Sequence, residues 1–281
     1  MNTRELQQAY ADKPPVTLEP SLTIGLVYNA AVKELVRRKR LVFLGMAVVF
    51  PLVLTIIWRV YGTKQISPTE FFANIGGLVY LKALVYLVSL FFGVPTIHDE
   101  VEGRTITYLF TRPLSRGAVY AGRLLAVQSI SALVLTASLA VCFLLMVVGN
   151  SQAINLDFVE VYTNYFLVIL LAVFCYTAIF AFMGTVFKRP LIWGILYIFA
   201  WESTVSVAPM RLQMWTLEWH LRNLIVSRQD VQASLTDFVR GLLSVEYSLP
   251  LWGSLFILLA VVTLFTFLGG LIFGRKEYVI N

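Results

Sequence analysis

Six apolar runs recur along the chain, near 41–58, 75–97, 124–148, 165–187, 191–208 and 251–273, separated by polar segments. A hydrocarbon core about 30 Å thick takes about 20 helical residues to cross. The pattern therefore predicts an all-α polytopic membrane protein with six transmembrane helices. Ahead of the first run, Ile24, Val27, Tyr28, Ala31 and Leu35 share one helical face, while Asn29, Lys33, Arg37 and Arg40 share another. That spacing predicts an N-terminal amphipathic interfacial helix on the cytoplasmic leaflet, the alternative being an extension of the first span. Residues 1–21, with Pro14, Pro15 and Pro20, read as a disordered cytoplasmic leader, leaving 22–281 as the six-span domain. The loop 209–250 predicts two short outer helices. Met210, Met214, Leu217, Leu221, Leu224 and Ile225 form one apolar stripe, and Val231, Leu235, Phe238 and Leu242 the other. Glu218 stands four residues before Arg222, the spacing of a helical ion pair.

Composition narrows the class. Hydrophobic residues make up 58% of the chain and charged residues 14%, against about 45–50% and about 25% in soluble domains. The net charge of +6 sits at span ends, which fits membrane lipid and gives no basic face for nucleic acid. Cys142 and Cys175 lie inside apolar runs and read as buried apolar residues. With the chain started inside, 15 Lys and Arg fall on the cytoplasmic side and 6 on the other. Both termini are thus expected in the cytoplasm and the protein in the plasma (inner) membrane.

Enzyme signatures are absent from this sequence. It has no G-x-x-x-x-G-K-[ST], H-E-x-x-H or G-x-S-x-G pattern, so no nucleotide cofactor is expected on this chain. His98 and His220 are predicted on opposite sides of the membrane. His98, Asp99, Glu100 and Glu102 can be drawn as cation ligands, but a solvated helix end is the plainer reading. Two ionisable residues sit inside spans, Lys82 and Glu202, at similar predicted depths of about 10 Å below the outer surface. An ion pair that fixes packing, a polar element of a substrate path, and a Lys82 that snorkels outward all remain open. Gly270 and Gly274 give a weak G-x-x-x-G packing signal.

The segment 98–123 carries the strongest local pattern. Glu100-x-Glu102-Gly103-x-Thr105 leads into Leu109-Phe110-Thr111-Arg112-Pro113-Leu114-Ser115-Arg116 and then Ala121-Gly122-Arg123. A brief amphipathic helix, stopped by Pro113 and followed by a cap at Ser115, suits docking on a soluble motor. This run, with Trp201-Glu202 late in the fifth span, resembles type-2 ATP-binding-cassette permeases, with Arg104 inserted before Thr105 and Arg123 in place of a Lys. The resemblance implies a half-transporter, not itself an enzyme, working as a homodimer or heterodimer of permeases. Two copies of a separate ATPase would carry ATP and Mg. It also implies ATPase coupling through Asp99, Glu100, Glu102, Gly103, Thr105, Leu109, Phe110, Arg112, Pro113 and Arg116, and export of a substrate that the residues do not identify. Two other classes remain: an ion-coupled secondary transporter using Lys82 and Glu202, and an intramembrane enzyme using His98, Asp99 and Glu100.

Overall fold

A computed structural model describes residues 19–37, 40–61, 67–102, 115–148, 156–206, 211–226 and 250–275. These are 94% helical and contain no strand, so the all-α polytopic class holds. Helix α1 (Pro20–Arg37) opens where the Glu19 carbonyl accepts the Thr23 amide at 3.1 Å. Pro20 thus occupies the first helical turn, where its missing N–H costs nothing. The stretch read as a leader therefore turns helical before residue 21, and the rest of it, 1–18, lies outside the described residues.

Helix α2 is Arg40–Tyr61 and continues through Pro51. The second span begins earlier than its apolar run. Ser67 accepts the Glu70 amide at 3.2 Å, and Pro68 takes the first helical position. Helix α3 (Pro68–Asn74) passes into a π-helical stretch, Ile75–Leu84, then into α4 (Val85–Gly93) and α5 (Pro95–Glu102). Helices α6 (Arg116–Val147) and α7 (Leu156–Val186) are the longest. Helix α8 (Pro190–Leu196) runs into a second π-helical stretch, Tyr197–Ser203. A 3-10 turn, Arg211–Trp215, precedes α9 (Leu217–Val226), and α10 spans Leu251–Arg275.

Five of these paths are long and apolar enough to cross a bilayer: Leu44–Tyr61, Pro68–His98, Arg116–Val147, Leu156–Val186 and Leu251–Arg275. The run 191–208 behaves differently. Its helical path from Pro190 reaches only Val205, about 24 Å at 1.5 Å per residue. The second predicted outer helix lies outside the described residues.

Arginine side chains mark the two ends of the body. Arg116 donates to the Gly274 carbonyl at 3.3 Å, joining the start of α6 to the end of α10. At the opposite end Arg59 donates to the Leu145 and Val148 carbonyls and caps α6. Ser115 holds the N-cap position of α6, but contrary to expectation its side chain makes no capping bond.

Helix α7 is the centre of the packing, with buried residues along its length from Phe158 to Thr185. Lipid gives apolar helices little reason to associate, so close backbone approach decides which faces meet. A β-carbon on Gly184 would stand 2.6 Å from the Val94 carbonyl oxygen, and one on Gly93 would stand 3.1 Å from Phe180 Cβ. The second span and α7 cross there. Helix α1 lies across α6 at Gly122, whose β-carbon would come within 2.9 Å of the Ile24 carbonyl. Val27, Ala31 and Leu35 are buried in that contact while Leu22 and Leu26 stay exposed. On α10 the close contact falls on Gly269, under Tyr120, while Gly274 faces open space. The weak G-x-x-x-G signal thus marked the neighbourhood but not the residue.

Gly184→Ala is expected to destabilise the protein by about 1–3 kcal/mol, because the Val94 backbone cannot yield. Gly25→Ala, with nothing within 4 Å of its β-carbon, should be neutral or stabilise by up to about 1 kcal/mol. Thermal unfolding of the two variants in one detergent checks the contrast.

Candidate functional site: a buried helix end and its charges

Both charged residues singled out inside the apolar runs fall in π-helical stretches, Lys82 in Ile75–Leu84 and Glu202 in Tyr197–Ser203. Such wide turns gather at functional sites. The two side chains do not pair with each other, however. Each meets a different part of α9.

Glu202 is fully buried. Its Oε1 accepts the Tyr197 hydroxyl at 2.6 Å and the Leu217 amide at 3.2 Å, and its Oε2 accepts the Glu218 amide at 3.1 Å. Thr216 Oγ1 accepts the next amide, Trp219, at 3.3 Å. The first three amides of α9, which no intrahelical carbonyl can reach, are thereby all satisfied. A carboxylate at this end also meets the positive pole of the helix. Glu202 is the remote cap of a helix that starts inside the protein.

The Glu218 side chain gathers the cations. Its Oε1 lies 3.3 Å from Lys82 Nζ and also pairs with Arg222 one turn along α9. Its Oε2 accepts the Tyr86 hydroxyl at 3.3 Å, and Tyr176 donates to Tyr86 at 3.3 Å. Of the readings left open for Lys82 and Glu202, an ion pair between them does not form within the chain, where Lys82 meets Glu218 instead. The helical pair Glu218–Arg222 forms as its spacing predicted. Equal depth along two spans suggested a meeting. The reading from sequence did not foresee a third element reaching the same depth with its own carboxylate.

That depth is considerable. Tyr86 lies 12 residues before His98 and 18 after Pro68 in the second span, so the cluster stands about 18 Å from one end of that rod and about 27 Å from the other. Helix α9 starts at the level of Tyr86 on the second span, and its next turn reaches Ser254, three residues inside the start of α10. Backbone that breaks from regular helix at this depth is tolerated only where protein covers it, and Thr216 is fully buried.

A neutral histidine anchors α9 to α10. His220 Nε2 lies 2.9 Å from the Met214 carbonyl and Nδ1 3.3 Å from Ser254 Oγ, while Asn223 Nδ2 donates to the same Oγ at 2.9 Å. A carbonyl can only accept, so the Nε2 proton is fixed. Nδ1 then accepts from the Ser254 hydroxyl. Burial pushes the imidazole below its ordinary value of 6.5, partly opposed by the bond to Met214.

The predicted coupling residues divide. Asp99, Glu100 and Glu102 lie on α5, which runs as helix to Glu102. Gly103, Thr105, Leu109, Phe110, Arg112 and Pro113 fall outside the described residues. Arg116 is placed at the base of α6 by its bond to Gly274. Arg123 donates to the Thr96 carbonyl at 3.1 Å and lies 3.8 Å from Glu34, joining α6 to α5 and α1. Among described residues no three His, Cys, Asp or Glu gather as a metal site.

Two outcomes test this geometry. Glu202→Ala strands two buried amides at about 1–3 kcal/mol each, whereas Glu202→Gln keeps one acceptor. Hydrogen exchange of residues 217–226 should accelerate strongly in the first variant and weakly in the second. A depressed histidine contributes stability in full above pH 6.5, and loses it as pH falls from there towards the folded value. Melting temperature between pH 8 and 5 should therefore fall more steeply for the wild type than for His220→Gln.

Comparison with known families matches residues 35–200 to the family described as ABC-2 family transporter protein. Comparison with curated proteins gives no match. The matched region takes in α2, the whole second span, the 98–123 segment, α6, α7 and α8, which is more than half of the chain. With its apolar helices of span length, the protein is a multi-pass membrane permease, and the chain belongs to the ABC-2 transporter family.

Proposed function

We propose that this chain is the transmembrane subunit of an ATP-driven exporter and works as a pair of permeases on two copies of a separate ATPase. The family match across residues 35–200 carries this reading, because it includes the segment that would take the motor's force. Support comes from how that segment is flanked. Arg123 ties the base of α6 to the Thr96 carbonyl, and Arg116 ties it to the end of α10. A push on residues 99–111 therefore bears on the second span, α6 and α10 together. ATP and Mg belong to the partner, with Asp99, Glu100, Glu102, Gly103, Thr105, Leu109, Phe110, Arg112, Pro113 and Arg116 forming the contact.

The same reading takes the path from Pro190 to Val205 as a sixth crossing, with α9 as an outer helix packed against the bundle. Helix α1 then lies at the cytoplasmic interface, its buried face on α6 and Leu22 and Leu26 towards lipid. Both termini lie in the cytoplasm and the protein in the plasma membrane. The gradient-driven alternative drew on a Lys82–Glu202 relay, and those residues have separate partners.

Scrambling residues 99–111 and reconstituting the permease with its ATPase tests the coupling. The expected outcome is an ATPase that no longer co-purifies, or one whose hydrolysis no longer responds to the permease. Normal coupled hydrolysis would remove the assignment.

A further inference from the structure

We infer that Lys82 and Arg222 form a seat for the anionic head of a membrane-borne amphiphile, a phosphate or carboxylate on an alkyl chain. Both cations converge on one oxygen, Glu218 Oε1. The other oxygen of Glu218 takes the Tyr86 hydroxyl, and both oxygens of Glu202 are filled by Tyr197 and the α9 amides. Two carboxylates match the two cations in number, but Glu202 is fully buried and turned to the start of α9. The charges are therefore separated by side, carboxylates inward and cations outward.

Exposure shows which sign faces outward. The side chains of Lys82 and Arg222 are each 38% exposed, while that of Glu218 is 6% exposed. The open side of the triad thus presents donors. An ammonium has three N–H groups and a guanidinium five, and few of these are engaged by a single shared oxygen. Phosphate and carboxylate oxygens are the complementary acceptors.

The surroundings specify the rest of the ligand. Leu78, Lys82, Leu87 and Phe91 follow one another about a turn apart on the exposed side of the second span. The cations therefore stand in an apolar stripe, deep along a rod of span length. Cations turned towards such a stripe need acceptors there, and an anion carried on an alkyl chain supplies them. A water-borne anion would lack the contact with Leu78, Leu87 and Phe91. That this seat holds transported cargo rests on the permease reading, but binding at the seat does not.

The test uses the purified full chain in neutral maltoside micelles and reads melting temperature against added dodecyl phosphate. A rise of about 2–3 °C is expected at ten times Kd. Lys82→Gln and Arg222→Gln should each abolish most of it, and Lys82→Arg should keep it. Glu218→Gln removes the competing carboxylate, so half of the shift should come at a lower dodecyl phosphate concentration. An equal shift in both glutamine variants overturns the inference, as does an equal shift from dodecyltrimethylammonium. A full shift from sodium phosphate alone also overturns it, by assigning the seat to a free anion. Should Lys82→Gln and Arg222→Gln fail to fold, Glu218→Gln decides: tighter binding supports the seat, and unchanged or weaker binding refutes it. Because no ATPase is present, loss of motor coupling in the reconstituted complex would fail the permease reading alone.

Discussion

A helix that begins inside an apolar body brings several amide donors with it and no water to meet them. Helix α9 does this, and the Glu202 carboxylate resolves it by accepting from Leu217 and Glu218 while Thr216 accepts from Trp219. Without that carboxylate the start of α9 could not stay at its depth, since each stranded donor costs about 1–3 kcal/mol. Glu202 itself needs the same contacts, because a buried carboxylate without partners is more expensive still. The helix end and the acid are each tolerable only in the presence of the other.

Placing α9 there has consequences for its neighbours. It delivers Glu218 to the level of Lys82, so a lysine on the second span finds a counter-charge without leaving the membrane-depth region. It also delivers Arg222 to the same oxygen, and Tyr86 with Tyr176 fill in behind with hydroxyls and edge-to-face rings 4.7 Å apart. Lys82 and Glu202, the two charges that this arrangement serves, both lie in π-helical stretches. An isolated charge on a regular span would face lipid or an apolar neighbour, whereas here each charge has a ligand set assembled from several elements.

Much of this architecture was legible in the apolar runs. Five of the six match helices of span length, and the face of α1 with Val27, Ala31 and Leu35 is the buried one. The start of the second span was misplaced by seven residues, although Ser67-Pro68-Thr69-Glu70 carries the capping pattern that marks it. Reading hydropathy alone hid that signal, because the first turn of the rod is polar. The Lys82–Glu218 pair was harder to find. Glu218 sits in a segment whose amphipathic spacing reads equally as a surface helix, and no local rule says how deep such a helix docks. Its pairing with Arg222 was readable from spacing, but the presence of Lys82 beside both depends on tertiary packing.

The charged residues divide their labour by depth, and the division follows from what each depth offers. At the ends of the body, where helix carbonyls run out of amides, arginines supply the missing donors: Arg59 on α6 and Arg116 on α10. Arg123 meets the Thr96 carbonyl in the same way near the flank of the 98–123 segment. These bonds join neighbouring rods at their tips, and Gly93, Gly122 and Gly184 join them by backbone contact along their lengths. Away from the ends Lys82 instead meets a carboxylate, Glu218, carried on a scaffold that is not a span. Helix α9 is that scaffold. It leaves the second span and α7 free to cross at glycine without charges in the seam, and it concentrates the polar chemistry on one side wall. Arginine bonds thus join the rods at their tips, and the Lys82–Glu218–Arg222 cluster sits beside a stretch where the backbone departs from regular α-helix.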